Sequence, residues 1–224
     1  MQNSPYPDPN NTMQTRAHLV LALVLAVIAA GAGVFVARQT ASPPAGTIEG
    51  LLWPNPKILA PFNVVDQNGQ PFTNDNLTGR WSLLFFGFTH CPDICPVTLS
   101  VLAQAKPGLA TAAGATPVQI IFVSVDPERD ATPQLAEYVR YFDPGFLGLG
   151  GTVDQIRALT SQLGVAFFHG TPTPAGDYSV DHSAAVFVID PQARFVGVLS
   201  APHQAESMTA RFQAIADFIG QAGQ

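Results

Sequence analysis

Between Trp81 and Phe88 the chain reads WSLLFFGF, and three later runs share its character: Val118–Val125 (VQIIFVSV), Ala184–Ile189 (AAVFVI) and Phe195–Leu199 (FVGVL). A half-exposed strand alternates apolar and polar residues, so near-continuous apolar, β-branched and aromatic runs mark strands covered on both faces. Helical patterns lie between them to supply that cover. One runs from Pro96 to about Ala105, and another over Thr132–Phe142, with Pro133 in its first turn. Thr152–Leu163 sets Ile156, Leu159 and Leu163 at helical spacing, and Met208, Phe212, Ile215 and Ile219 mark a last amphipathic helix. Phe62–Val65 and Pro71–Phe72, around Asn68-Gly69, read as a leading hairpin. The alternation of strand and helix predicts an α/β layer fold with a mainly parallel central sheet.

That domain does not occupy the whole chain of 224 residues. Residues 17–37, AHLVLALVLAVIAAGAGVFVA, carry no formal charge and are flanked by Arg16 and Arg38. About 20 such residues are what a helix needs to cross a bilayer. A cleaved signal peptide competes with this reading, although its apolar region usually runs to about 7–15 residues. The expected organisation is a disordered tail over 1–16, a transmembrane anchor over 17–37, a proline-rich tether over 38–57 and a globular domain over 58–224. A formal charge of −6, with ten scattered basic residues, excludes a nucleic-acid binder, which would show a basic face.

Both cysteines fall in one short stretch, Thr89-His-Cys-Pro-Asp-Ile-Cys-Pro-Val97. Pro92 and Pro96 push Cys91 and Cys95 out of helical geometry, and Pro96 also suits a first helical residue. The pair therefore sits on a loop leaving a buried strand, with Cys95 near a helix N-terminus, where the helix dipole favours a thiolate. A structural disulfide here would close five residues and contribute only about 2 kcal/mol, against about 4.7 for a 100-residue loop. Two unrelated buried thiols would not explain the flanking prolines. A redox pair and a metal pair remain.

A metal pair wants a third ligand, and there are five histidines. His18 lies in the anchor; His90, His169 and His203 read as structural or surface residues. His182 sits just before a strand and beside Asp181, in YSVDHSAA. A lone histidine at a strand start is usually structural, so spacing alone does not make it a ligand.

Taken together, FFGFTHCPDICPVTL, SVDPERD (Ser124–Asp130), GLGGTVDQI (Gly148–Ile156) and YSVDHSAAVFVID (Tyr178–Asp190) resemble the Sco/SenC family of copper-binding proteins, in the right order from about Gly50 to Ile219. The resemblance implies a thioredoxin-like fold. It also implies copper held by Cys91, Cys95 and His182, with Asp93 and Asp181 in position to orient or charge those ligands from behind. The implied role is a membrane-anchored copper chaperone that serves the Cu-A site of cytochrome c oxidase subunit II and meets other periplasmic copper chaperones. A thiol–disulfide reductase that keeps that subunit's cysteines reduced is the alternative, with Cys91 as attacking thiol. Zinc binding and thiol peroxidase chemistry fit less well. Thiol and copper chemistry of this kind places the domain outside the cytoplasm, in the periplasm of a bacterium with the anchor in its inner membrane. The Pro/Gly-rich stretch Gly170–Asp177 is expected to let His182 swing toward or away from the cysteines.

Overall fold

The computed structural model describes residues 22–29, 31–32, 48–52, 56–174 and 177–222. The chain divides into two compact units, residues 1–42 and 43–224. In the first, residues 22–29 and 31–32 are helical. The rest of the expected anchor and the whole tail over 1–16 lie outside the described residues. Among the described residues no helix is long and apolar enough to cross a membrane.

The second unit runs β1 (Lys57–Ile58), β2 (Asn63–Asp66), β3 (Pro71–Thr73), β4 (Trp81–Gly87), α1 (Ile94–Ala112), β5 (Val118–Ser124) and α2 (Thr132–Phe142). It continues with β6 (Leu147–Gly150), α3 (Val153–Leu163), β7 (Phe167–His169), β8 (Val180–His182), β9 (Val186–Ile189), β10 (Arg194–Leu199) and α4 (Ala205–Ala222). Among the described residues eight strands form one sheet in the order β1-β10-β9-β4-β5-β6-β2-β3, and β7 pairs β8 separately.

The expectation of a mainly parallel sheet is corrected here. Among the described residues only β4–β5 and β5–β6 are parallel, while β1–β10, β10–β9, β9–β4, β6–β2 and β2–β3 are antiparallel. The cause lies in the connections. A parallel step needs a crossover of about a dozen residues or more, which α1 and α2 provide on either side of β5. β2 and β3 are joined by a tight turn in which Gly69 takes φ +75°, and β9 and β10 by a short turn at Pro191–Ala193, so both pairs must run antiparallel.

Alternation along β4 divides the core. Trp81, Leu83 and Phe85 face α1, α2 and α4, packing with Leu99, Leu102, Val139, Phe212 and Ile215. Leu84, Phe86 and Phe88 face the other layer, with Ile156, Leu159 and Leu163 of α3, with Phe72 of the hairpin and with Leu77 after it. Cys91, just beyond the strand, touches both clusters.

Helix bounds follow local chemistry. α3 opens on a capping box in which Gln155 N–H donates to Thr152 Oγ1 at 3.2 Å and Thr152 N–H to Gln155 Oε1 at 2.8 Å, and it closes on Gly164 at φ +71°. α1 runs well past Ala105, through Pro107, because its buried face against α4 outweighs the one hydrogen bond that a proline removes. Within the stretch expected to be tether, Leu52 N–H donates to Val196 O at 2.7 Å, Leu51 bridges Gly197, and Arg211 pairs with Glu49 at 2.9 Å.

Candidate metal centre

The turn after β4 brings the backbone back on itself, with Cys91 N–H donating to Phe88 O at 3.2 Å. Cys91 is partly exposed there. Cys95, in the first turn of α1, is fully buried. Both thiols are free. Gly87 makes the buried position available: a Cβ at that residue would lie 2.7 Å from Cys95 Sγ.

His182 comes to the same place from the far end of the chain. It ends β8, whose pairing with β7 sets it opposite Phe167. Its Nδ1 lies 3.0 Å from Ser183 O, which only accepts, so Nδ1 carries the proton. Nε2 then turns its lone pair toward Cys95 Sγ, 3.3 Å away. The ring is held edge-on between Phe85 and Phe88, with centroids 6.1 and 5.9 Å distant. The donor atoms of Cys91, Cys95 and His182 all lie within 4.8 Å of one another. Thiolate and imidazole donors sit about 2.0–2.3 Å from a bound metal and so at most about 4.6 Å apart, which leaves only a small side-chain adjustment for binding. Two sulfurs suit Cu(I), and an imidazole makes Cu(II) acceptable as well.

The electrostatics depart from expectation at Cys95. A helix N-terminus was expected to favour its thiolate, yet burial pushes the thiol far above its ordinary value, and the contact with Cys91 adds to the rise. Desolvation outweighs the helix dipole here. His182 moves the other way: burial lowers it below 6.5, while the Ser183 carbonyl and the Asp181 charge pull it partly back. The imidazole is thus neutral at neutral pH, the form that ligates metals. Tyr138 also borders the cysteines. Burial and then the charges of Cys95 and Cys91 raise its phenol, and its hydroxyl is buried without a partner among the described residues.

The two carboxylates expected behind the ligands do less. Asp93 is exposed at the N-cap of α1 and makes no side-chain cap. Asp181 is exposed opposite Phe168 and acts on His182 only through its charge. His90 is exposed near Thr89 and Asp130, His169 bonds Val125 O at 3.3 Å, and His203 donates to Ala184 O at 2.7 Å. None of these three belongs to the donor group. Sequence reasoning missed the rings of Phe85 and Phe88 and the acid–base turn at Asp126–Asp130. The only signal for that turn was its place inside SVDPERD.

One buried thiol, one partly exposed thiol and one oriented imidazole on an α/β sheet make a donor set that could hold a metal ion. The SCO1/SenC family model matches residues 53–217, and the chain belongs to that family. A Stutzerimonas stutzeri protein provisionally named for copper binding is 41% identical over 152 residues, 68% of this chain and 74% of its own length. The mitochondrial SCO2 homologue of Bos taurus is 40% identical over 148 residues, 66% of this chain but only 56% of its own length. The crystal structure of Arabidopsis thaliana ScoI with copper bound superposes with a TM-score of 0.65 at 36% identity, covering 73% of this chain and 99% of the other. The fold is thus the Sco-like, thioredoxin-type α/β fold.

Proposed function

We propose that this protein is a membrane-anchored copper chaperone whose cargo is held by Cys91, Cys95 and His182. The observation that carries this reading is the convergence of three donor atoms within 4.8 Å, one of them an imidazole whose tautomer is already set for ligation. Copper is bound in related proteins of the same fold, as in the Arabidopsis structure. Cys91 is partly exposed while Cys95 is fully buried. The site therefore has one open side, through which an ion can pass to another protein without unfolding.

Delivery to the Cu-A site of cytochrome c oxidase subunit II fits a thiol-rich donor meeting a thiol-rich acceptor. Dithiol–disulfide chemistry and copper delivery to an exported subunit support a location outside the cytoplasm for the domain, 58–224. The apolar run 17–37 would then hold it at the bacterial inner membrane, with 1–16 as a cytoplasmic tail and 38–57 as the tether. Other periplasmic copper chaperones would load it.

The asymmetry of the two free thiols favours one second reading. A partly exposed Cys91 beside a buried Cys95 is also how an attacking thiol and its resolving partner are arranged. That protein would be a reductase of the same subunit's cysteines. Copper stoichiometry on the reduced full chain, beside Cys91→Ala and His182→Ala, tests both. One copper per chain, lost or greatly weakened in both variants, is expected. No copper in the parent, with rapid disulfide exchange that survives His182→Ala, would replace the chaperone by the reductase.

A further inference from the structure

The two halves of the metal centre come from distant parts of the chain, and one short turn touches both. At the end of β5, residues 124–130 carry three carboxylates, of which Glu128 is exposed while Asp126 and Asp130 have wholly buried side chains. Asp130 holds the cysteine half. It accepts from Thr89 N–H at 3.0 Å, from Thr89 Oγ1 at 2.6 Å and from Ser124 Oγ at 2.6 Å. Thr89 is two residues ahead of Cys91.

Asp126 holds the histidine half. It accepts from Tyr178 Oη at 2.7 Å, and its other oxygen accepts from Arg129 Nε. Tyr178 is four residues ahead of His182. The Arg129 guanidinium lies 3.6 Å over the Tyr178 ring and 5.6 Å from the Phe88 ring, so it bridges the halves directly. Phe88 in turn rests against the His182 ring. His169, on the strand paired with β8, packs against Tyr178 at 5.4 Å and reaches Val125 O. The turn is itself fixed to β4, since Val125 N–H donates to Gly87 O at 2.8 Å.

The geometry points to Asp126, Arg129 and Tyr178 as positioning residues: a clamp that sets how far His182 stands from the cysteine pair. A cation over an aromatic face, together with a buried hydrogen bond to a carboxylate, fixes both the plane and the azimuth of Tyr178. Only three residues, Ser179, Val180 and Asp181, lie between Tyr178 and His182, too few to absorb a change at the tyrosine. The swing expected of the Gly170–Asp177 stretch is therefore stopped at Tyr178, and His182 moves only when the clamp opens. The part of this inference that concerns copper rests on the chaperone reading; the clamp itself does not.

The test uses the full chain and Tyr178→Phe, which deletes one hydroxyl and leaves the ring over Arg129, with Asp126→Asn as a second variant. Without metal, amide hydrogen exchange is followed at Val180–His182 and, for reference, in α1. At least a tenfold faster exchange confined to the β8 amides is expected. Rates within twofold of the parent, or a rise spread equally through α1, would overturn the clamp. With Cu(II) loaded, transfer to a chelator should be at least tenfold faster in Tyr178→Phe. In a His182→Ala background, which loses or greatly weakens copper binding, the readout is the alkylation rate of Cys91 without metal, and the same change should leave it within twofold. A rise of tenfold or more there would show a merely structural residue and overturn the positioning role. If the parent takes up no copper, the chaperone reading fails and the exchange experiment alone decides the clamp.

Discussion

Gly87→Ala is the substitution that should bear most directly on the sulfur geometry. A Cβ there would lie 2.7 Å from Cys95 Sγ and 2.8 Å from Phe122 Cε2. Ordinary carbon contacts run at about 3.5–4.0 Å, so sulfur and ring must each retreat by about 0.7–0.8 Å. Neither has free space, since Cys95, Phe85 and Phe122 are all fully buried. Overpacking of this kind costs about 1–3 kcal/mol. In a domain of this size that lowers Tm by about 2–12 °C. Ligand distances at a metal site tolerate only about ±0.2 Å, so the same shift breaks the match between Cys95 Sγ and His182 Nε2. Copper affinity should fall about 10–100-fold, the range found when groups that orient ligands are altered. Competition against a Cu(I) chelator measures the affinity, and thermal melts of the metal-free chain measure the stability. Gly220→Ala in α4 is the control: a Cβ there meets nothing within 4 Å. It should keep the parent's affinity and gain up to about 1 kcal/mol in stability. A Gly87→Ala chain as tight and as stable as the parent would refute the argument that this close approach sets the sulfur.

Three further substitutions probe the fold around the site. Phe212→Ala removes a fully buried ring set edge-on to Trp81 at 5.3 Å, and should cost about 3–5 kcal/mol in denaturant melts; a smaller loss than 1 kcal/mol would contradict its place in the core. Thr152→Ala breaks the capping box of α3 and should cost about 0.5–2 kcal/mol, with copper affinity unchanged. Asp143 gives a pH signature. Burial alone would raise its carboxyl, but Lys106 and the Gly145 amide carry it below 3.8. Its folded value is depressed, so its contribution is present at neutral pH and is lost as the pH falls through that folded value. The gap in stability between parent and Asp143→Asn, from urea melts, should therefore close on acidification below pH 3.8; a gap that widens there would reverse the assignment.

Much of the fold can be read from the chain because the relevant signals are local. Thr132–Phe142 is announced by Pro133 and by an apolar stripe, and the structure has α2 over those residues. The four apolar runs become β4, β5, β9 and β10. β6 gives no such signal: it reads LGLG, and it is a buried strand because Gly148 leaves room for Leu135 of α2. β1, β7 and β8 have two or three residues each, too few to show a period. The site divides in the same way. Cysteine spacing marks Cys91 and Cys95 as a reactive pair, whereas His182 stands out only through family resemblance. The groups that hold it do not stand out at all, because Asp126 and Tyr178 are 52 residues apart and meet only through the fold.

The feature least visible in the chain, the direction of β9, is the one the metal centre depends on. β9 runs antiparallel to β4, with Val186 opposite Phe85 and Ile189 opposite Ser82. The start of β9 therefore lies at the same edge of the sheet as the end of β4. Cys91 follows β4, the Asp126–Asp130 turn follows β5, and β4 and β5 are parallel with Gly87 opposite Ser124. All three segments thus leave or enter the sheet at one edge, where loops that carry function gather. Had β9 been parallel to β4, as a mainly parallel sheet requires, the residues before it would open at the other edge. A seven-residue strand at about 3.3 Å per residue separates those edges by roughly 20 Å. His182 would then sit near Trp81, far out of reach of either cysteine. The short turn at Pro191–Ala193, which forces β10 back beside β9, stands at that far edge and leaves the metal edge to β8 and His182.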